Sequence, residues 1–213
     1  MDWLLYENEA FSKGYNIVCG IDEAGRGPLA GPVYAAAVIL EKGDIIEGVN
    51  DSKKLSEKKR ELLFDEIKTR AVSWSVGTAS EKEIDEINIL QATFLAMKRA
   101  VDALEIKPDL ALVDGNREPN LGAVPVETIV KGDGKSISIA AASIIAKVSR
   151  DRYMLKMAEK YPEYQFEKHK GYGTKLHYEM IEKYGVSDIH RKTFLKRFWK
   201  NEFTRKNGRN AGL

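Results

Sequence analysis

Five short runs rich in Val, Ile and small residues constrain this chain more than anything else in it. They are Ile17 to Asp22, Tyr34 to Leu40, Val72 to Thr78, Leu110 to Asp114 and Val126 to Val130. Each has the length and composition of a strand buried on both faces, and helical patterns alternate with the later ones. A Gly/Pro-rich loop joins the first two, which predicts an antiparallel pair. Ser56 is placed to cap a helix over Glu57 to Arg70. Ser80 and Glu83 form a capping-box pattern opening a helix to about Leu104, with Ile84, Ile87, Leu90, Phe94 and Leu95 as its core face. A third helix is expected from Ser136 to Lys160. Its first half, Ile-Ser-Ile-Ala-Ala-Ala-Ser-Ile-Ile-Ala, is apolar almost all round and must be buried, and Pro162 ends it. Shorter helices are expected near Lys175 to Tyr184 and His190 to Lys200. The fold class is α/β: a mixed five-stranded sheet flanked by helices, with a C-terminal helical appendage. The expectation is a single domain over 1–213, with a core over about 17–160 and a basic helical part over about 161–213, frayed from Arg205.

A chain of 213 residues can bury roughly 70% of its extended surface. The single Cys19 excludes a disulfide framework and any multi-cysteine zinc site. No run of about 18 apolar residues exists to span a bilayer. MDWLLYENEAF lacks the basic start and apolar stretch of a signal peptide, so the expected compartment is reducing cytoplasm. The net charge of +2 is unevenly spread: residues 150–213 hold 16 basic and 8 acidic side chains, +8, leaving −6 for residues 1–149. That asymmetry suits a polyanionic partner, although a solvated helix face reads the same way.

Four carboxylates stand where carboxylates are costly. Asp22 and Glu23 close one apolar run, Asp114 closes another, and Asp133 immediately precedes the buried helix. Singly, each reads as a cap, turn or surface residue. Together, at successive strand ends, they predict a convergent all-oxygen cluster suited to Mg²⁺ or Mn²⁺ rather than zinc. Such clusters hold two metals in nucleases. Beside them, Gly25-Arg26-Gly27 reads either as a plain strand connection or as a loop whose amides a ligand can approach closely, with a side chain that clamps phosphate. Lys53 and Lys54 suit phosphate contacts or a solvated helix start. Tyr172, between two glycines in basic surroundings, suits stacking on a sugar or base, or core packing. Gly132 to Ser136 lacks the first glycine of a P-loop, since Ile129 stands there. His190-Arg191-Lys192 reads as surface charge, Cys19 as packing, and no histidine pair has metal-ligand spacing.

Residues Gly20 to Val33, Gly-Ile-Asp-Glu-Ala-Gly-Arg-Gly-Pro-Leu-Ala-Gly-Pro-Val, resemble the signature of ribonuclease HII of the bacterial type. Asp51 to Leu55, Val113 to Gly115, Gly132-Asp133, Ala141 to Asp151 and Lys170 to Thr174 resemble that family's later blocks, in the same order. The resemblance covers about Gly20 to Trp199. It implies a ribonuclease H-like fold. It also implies cleavage of the RNA strand of RNA–DNA hybrids and incision 5′ of single ribonucleotides in duplex DNA, giving 5′-phosphate and 3′-hydroxyl ends. On this resemblance Asp22, Glu23, Asp114 and Asp133 bind two Mg²⁺ or Mn²⁺ ions. By the same resemblance Gly25, Arg26, Gly27 and Tyr172 bind substrate, with Lys53 and Lys54 beside them as expected phosphate contacts; a monomer is expected because no spare apolar helix face is evident. The nearest rival, ribonuclease HIII, tends to carry an extra N-terminal domain and glutamate in place of Asp133. Two further readings stay open: a nuclease of the same fold that cuts branched DNA, and a non-catalytic module that binds hybrids.

Overall fold

A computed structural model describes residues 2–196, 198 and 199. The expected fraying from Arg205 lies outside the described residues. Strands β1 (Val18–Ala24), β2 (Val33–Ile39), β3 (Ser73–Ala79), β4 (Leu110–Asp114) and β5 (Val126–Ile129) form one sheet in the order β3-β2-β1-β4-β5. The β1–β2 and β2–β3 pairs are antiparallel; β1–β4 and β4–β5 are parallel. Helices are α1 (Leu5–Ser12), α2 (Glu57–Arg70), α3 (Glu81–Ala103), α4 (Ile137–Lys160), α5 (Phe166–His169) and α6 (Lys175–Tyr184). No described helix is long and apolar enough to cross a membrane.

Side chains alternate across each strand, so each apolar run feeds two cores. Cys19, Ile21, Ala35, Ala37, Ala111 and Val113 pack against α3. Ala36 and Val38 pack against α2 and the apolar half of α4 on the other face. Every residue from Ile137 to Ala146 is buried, as its composition requires. Helix α4 lies close on β1 because Gly20 has no side chain: a Cβ there would sit 2.1 Å from the carbonyl carbon of Ser138. Gly20→Ala should therefore cost about 1–3 kcal/mol or more, lowering the melting temperature by several degrees in a thermal melt.

The Ser80–Glu83 capping box is present, and Ser56 and Ser136 cap α2 and α4. Three expectations need correction. Strand β1 runs two residues beyond Asp22, because its pairing with β2 continues to Ala24 opposite Tyr34. Asp22 and Glu23 thus lie within the strand and point to opposite faces. In α3, Asn88 adopts φ 66° and breaks the helical register. The buried face after the break is Ala92, Thr93, Ala96, Met97, Ala100 and Val101, and Ile87 is left exposed. The expected helix from His190 begins at Lys192, since the backbone of residues 189–191 bonds to Leu29 and Gly31 instead.

Helix α1 was not legible as an element. It brings Glu7 under the start of α4, where Oε1 accepts from Ser136 Oγ at 2.6 Å and from Ser138 N at 3.1 Å and Oγ at 2.7 Å. A carboxylate at a helix N-terminus also complements the helix dipole.

Candidate active site

The parallel pairing of β1 with β4 sets Ile21 opposite Val113, so Asp22 and Asp114 follow side by side. Both lie on the α4 face of the sheet by alternation. Asp114 Oδ1 accepts the amide of Gly132 at 2.6 Å. That bond ties the end of β4 to the short 3-10 turn Gly132–Gly134, which carries Asp133. Glu23 leans to the α3 side, 3.3 Å from Arg26.

The three acidic neighbours are felt at Asp22. Burial first, then Glu23, Asp114 and Asp133, push its carboxyl well above the usual carboxylate range, against one opposing hydrogen bond from the Glu23 amide. Burial also raises Glu23, opposed by Arg26, and raises Asp133 together with Asp114 and Asp51. Burial would lower Lys53, but Asp22, Asp133, Asp51 and Asp114 together raise it, and its Nζ lies 3.9 Å from Asp133. The site is thus a cluster of four carboxylates, with Arg26 beside Glu23 and Lys53 beside Asp133.

An all-oxygen donor set with surplus negative charge fits a hard divalent cation. The fit is chemical rather than preformed. Among the described residues no group of three or more His, Cys, Asp or Glu side chains is arranged to hold a metal ion. Asp22 and Asp114 each turn one oxygen onto a backbone amide, and Glu23 faces the other side of the sheet.

A cleft of about 240 Å³ opens beside these acids, lined by Asp22, Glu23, Gly25, Arg26, Gly27, Lys53 and Tyr172 together with Ser52, Lys147 and Arg150. Seven of the ten residues singled out from sequence meet there. Asp114 lines a smaller adjoining cavity with Glu23 and Arg26. Asp133 joins through Lys53. Lys54 does not line the cleft; its Nζ lies 3.8 Å from Asp51, which caps the turn Ser52–Lys54. A separate groove of about 630 Å³ runs along α3 past Ile87 and Phe94 and is lined by none of the four acids.

Tyr172 is no core residue: it is 44% exposed, its ring over the Arg150 guanidinium at 5.8 Å. Gly25 has φ +96°, and a Cβ there would meet Arg150 Nε at 2.1 Å, so only glycine fits. Arg150 and Arg191 are both fully buried. No hydrophobic pattern marks their burial: Arg150 is followed by the charged Asp151 and Arg152, and Arg191 by Lys192. Burial pulls Arg191 down to about 9, which leaves it charged at neutral pH.

The three histidines, His190 among them where surface charge was expected, are buried together behind Tyr172. The rings of His169 and His177 stack at 4.3 Å, and His177 Nε2 lies 3.0 Å from His190 Nε2. His177 Nδ1 faces the Tyr172 carbonyl at 2.9 Å, and His190 Nδ1 faces the Ser187 amide at 2.9 Å. These partners are satisfied together only by neutral rings. Burial, with His169 second, lowers His177 to about 3; burial lowers His190 to about 4. The unfolded chain takes up these protons near pH 6.5 and the folded chain does not. Stability is therefore full above about pH 6.5 and falls as pH drops toward 4, by up to about 1.4 kcal/mol per pH unit for each histidine. Thermal melts from pH 7 to 4.5 should show this slope, and it should be shallower in His177→Asn.

The comparisons agree with this architecture. The family model described as Ribonuclease HII matches residues 19–202. The ribonuclease HII of Caldicellulosiruptor bescii is 60% identical over 190 residues, covering 89% of this chain and 92% of that one. That of Clostridioides difficile is 58% identical over 192 residues, covering 90% and 75%. The crystal structure of ribonuclease H2 from Pyrococcus horikoshii superposes with a TM-score of 0.70 at 32% identity, covering 84% of this chain and 93% of that one. Likeness of this extent in sequence and in fold leaves one assignment: the chain belongs to the ribonuclease HII family and is a ribonuclease H.

Proposed function

We propose that this enzyme cleaves the RNA strand of RNA–DNA hybrids and incises 5′ of single ribonucleotides embedded in duplex DNA, leaving 5′-phosphate and 3′-hydroxyl ends, as a cytoplasmic monomer that begins ribonucleotide excision. The observation that carries the reading is the meeting of Asp22, Glu23, the Gly25–Gly27 loop and an exposed tyrosine around one cleft, with Asp114 and Asp133 close enough to raise the Asp22 carboxyl. A pure hybrid-binding module has no use for carboxylates facing phosphate.

Asp22, Glu23, Asp114 and Asp133 would hold two Mg²⁺ or Mn²⁺ ions, which supply an activated water and charge stabilisation at the leaving oxygen. The chain's own residues do the rest. Telling RNA from DNA comes down to the 2′-hydroxyl, which both donates and accepts. The loop's backbone can reach that hydroxyl because Gly25 and Gly27 carry no side chain. Tyr172 lies against the loop: a Cβ on Gly27 would be 3.8 Å from its ring. A ring packed there on the next sugar favours one without a 2′-hydroxyl, which selects an RNA-to-DNA junction. Arg26 and Lys53 contact phosphate, and the exposed Lys192 and Lys196 extend the positive surface. Such contacts position substrate without reading base sequence. We further propose that residues 1–213 act as a single domain, with the basic part beyond about 161 serving as a substrate-gripping face.

The test is cleavage of a duplex containing one ribonucleotide, with Mg²⁺ and then with EDTA. Incision on the 5′ side of the ribonucleotide, abolished by EDTA, is the expected result. Cutting of a four-way DNA junction in preference to that duplex would favour the branched-DNA reading.

A further inference from the structure

His190 and Arg191, adjacent in the C-terminal part, reach both walls of the cleft from behind. Arg191 is fully buried. Its Nη2 donates to the Gly25 carbonyl at 2.6 Å, its Nη1 to the Arg26 carbonyl at 3.0 Å and its Nε to the Gly31 carbonyl at 2.8 Å. A trans peptide points its C=O and N–H in opposite directions. With the Gly25 and Arg26 carbonyls drawn inward to the guanidinium, the amides of Arg26 and Gly27 face away from it, toward the cleft. The planar fork of arginine suits this three-way grip, which a lysine ammonium cannot reproduce.

His190 serves the opposite wall. Its Nε2 meets His177 Nε2, and His177 Nδ1 donates to the Tyr172 carbonyl. Backbone bonds join the same segments: Arg191 N to Leu29 O at 2.8 Å, Gly31 N to Ile189 O at 2.9 Å, and Leu29 N to Gly171 O at 2.8 Å. The loop that faces the 2′-hydroxyl and the tyrosine that faces the next sugar are thus fastened to one dipeptide.

We propose that His190 and Arg191 are positioning residues that set the spacing between the Gly25–Gly27 amides and the Tyr172 ring, and so set the preference for a ribonucleotide followed by a deoxyribonucleotide. The proposal rests on the function proposed above. Neither residue touches substrate. A continuous RNA strand needs only the loop and the acids, whereas a single embedded ribonucleotide needs the loop and the tyrosine in register. Loss of the dipeptide's grip therefore harms the second substrate more than the first.

The experiment compares kcat/KM on a one-ribonucleotide duplex with kcat/KM on a continuous RNA–DNA hybrid, in Mg²⁺. The proteins are wild type, Arg191→Met, Arg191→Lys and His177→Asn. The asparagine can still donate to the Tyr172 carbonyl but loses the link to His190. The ratio of the two values does not depend on the fraction of folded enzyme, so a merely structural role leaves it unmoved. In Arg191→Met and His177→Asn the ratio should fall about ten- to hundredfold, the scale of a misplacement near 1 Å, with Arg191→Lys in between. A wild-type ratio in folded Arg191→Met and in His177→Asn overturns the proposal. If Arg191→Met does not fold by circular dichroism, a wild-type ratio in both Arg191→Lys and His177→Asn overturns it equally. Failure of the underlying function shows differently, in the wild type itself: no cleavage of either substrate, or no junction preference, removes that reading and this proposal with it.

Discussion

Asp22→Asn is expected to reduce cleavage at least about a thousandfold while making the metal-free protein more stable. The two effects have one origin. Asp22 is buried, and its carboxyl is raised by that burial and by Glu23, Asp114 and Asp133. Its folded form holds a proton more firmly than its unfolded form, so without a cation stability is full below about pH 4. It is then lost as pH rises through the elevated folded pKa. The amide keeps the shape and removes the charge, and with it that loss. The same charge is what draws a divalent cation, whose stabilisation of the transition state is worth several kcal/mol, or about three powers of ten in rate. Cleavage assays in Mg²⁺ and melts in EDTA on one preparation check both parts. Near-wild-type cleavage by Asp22→Asn would remove the metal assignment; loss of activity with a lower melting temperature in EDTA would make Asp22 a structural residue instead.

Tyr172→Ala is expected to lower incision at a single embedded ribonucleotide about ten- to hundredfold, with little change in melting temperature. A stacking contact on nucleic acid is worth about 1–3 kcal/mol, which sets the range. Misplacement of the scissile phosphate adds to it. The sequence left open whether this ring stacks on substrate or fills a core, and the two readings give opposite outcomes. Tyr172 is 44% exposed and lines the cleft, which is why the first outcome is the one expected. Its hydroxyl takes no hydrogen bond among the described residues, so Tyr172→Phe should be milder than alanine unless the hydroxyl meets the substrate. Duplex affinity should change less than the rate, because phosphate contacts dominate it. A destabilised variant with full activity per folded molecule would return Tyr172 to a packing role.

Much of this was legible because strand and helix patterns are local. The short apolar runs Ile17–Asp22 and Leu110–Asp114, the capping box at Ser80 and the all-round apolar start of α4 each declare themselves within a few residues. Four acids against such apolar runs are anomalous without any knowledge of the fold, and the resemblance to ribonuclease HII drew them together. The limits are as local as the signals. Asn88 breaks α3 through a backbone angle that no hydrophobic period records, and the core face moves from Ile87 to Ala92 and Ala96.

What the chain order alone determined is where charge would be expensive: Asp22, Glu23, Asp114 and Asp133 at the ends of buried runs. What only the tertiary structure decided is where positive charge could be buried. In sequence, His190-Arg191-Lys192 is indistinguishable from solvated surface, because a guanidinium is tolerated inside only where acceptors already wait for it. Those acceptors, the carbonyls of Gly25, Arg26 and Gly31, lie 160 or more residues earlier and meet Arg191 only after the sheet has formed.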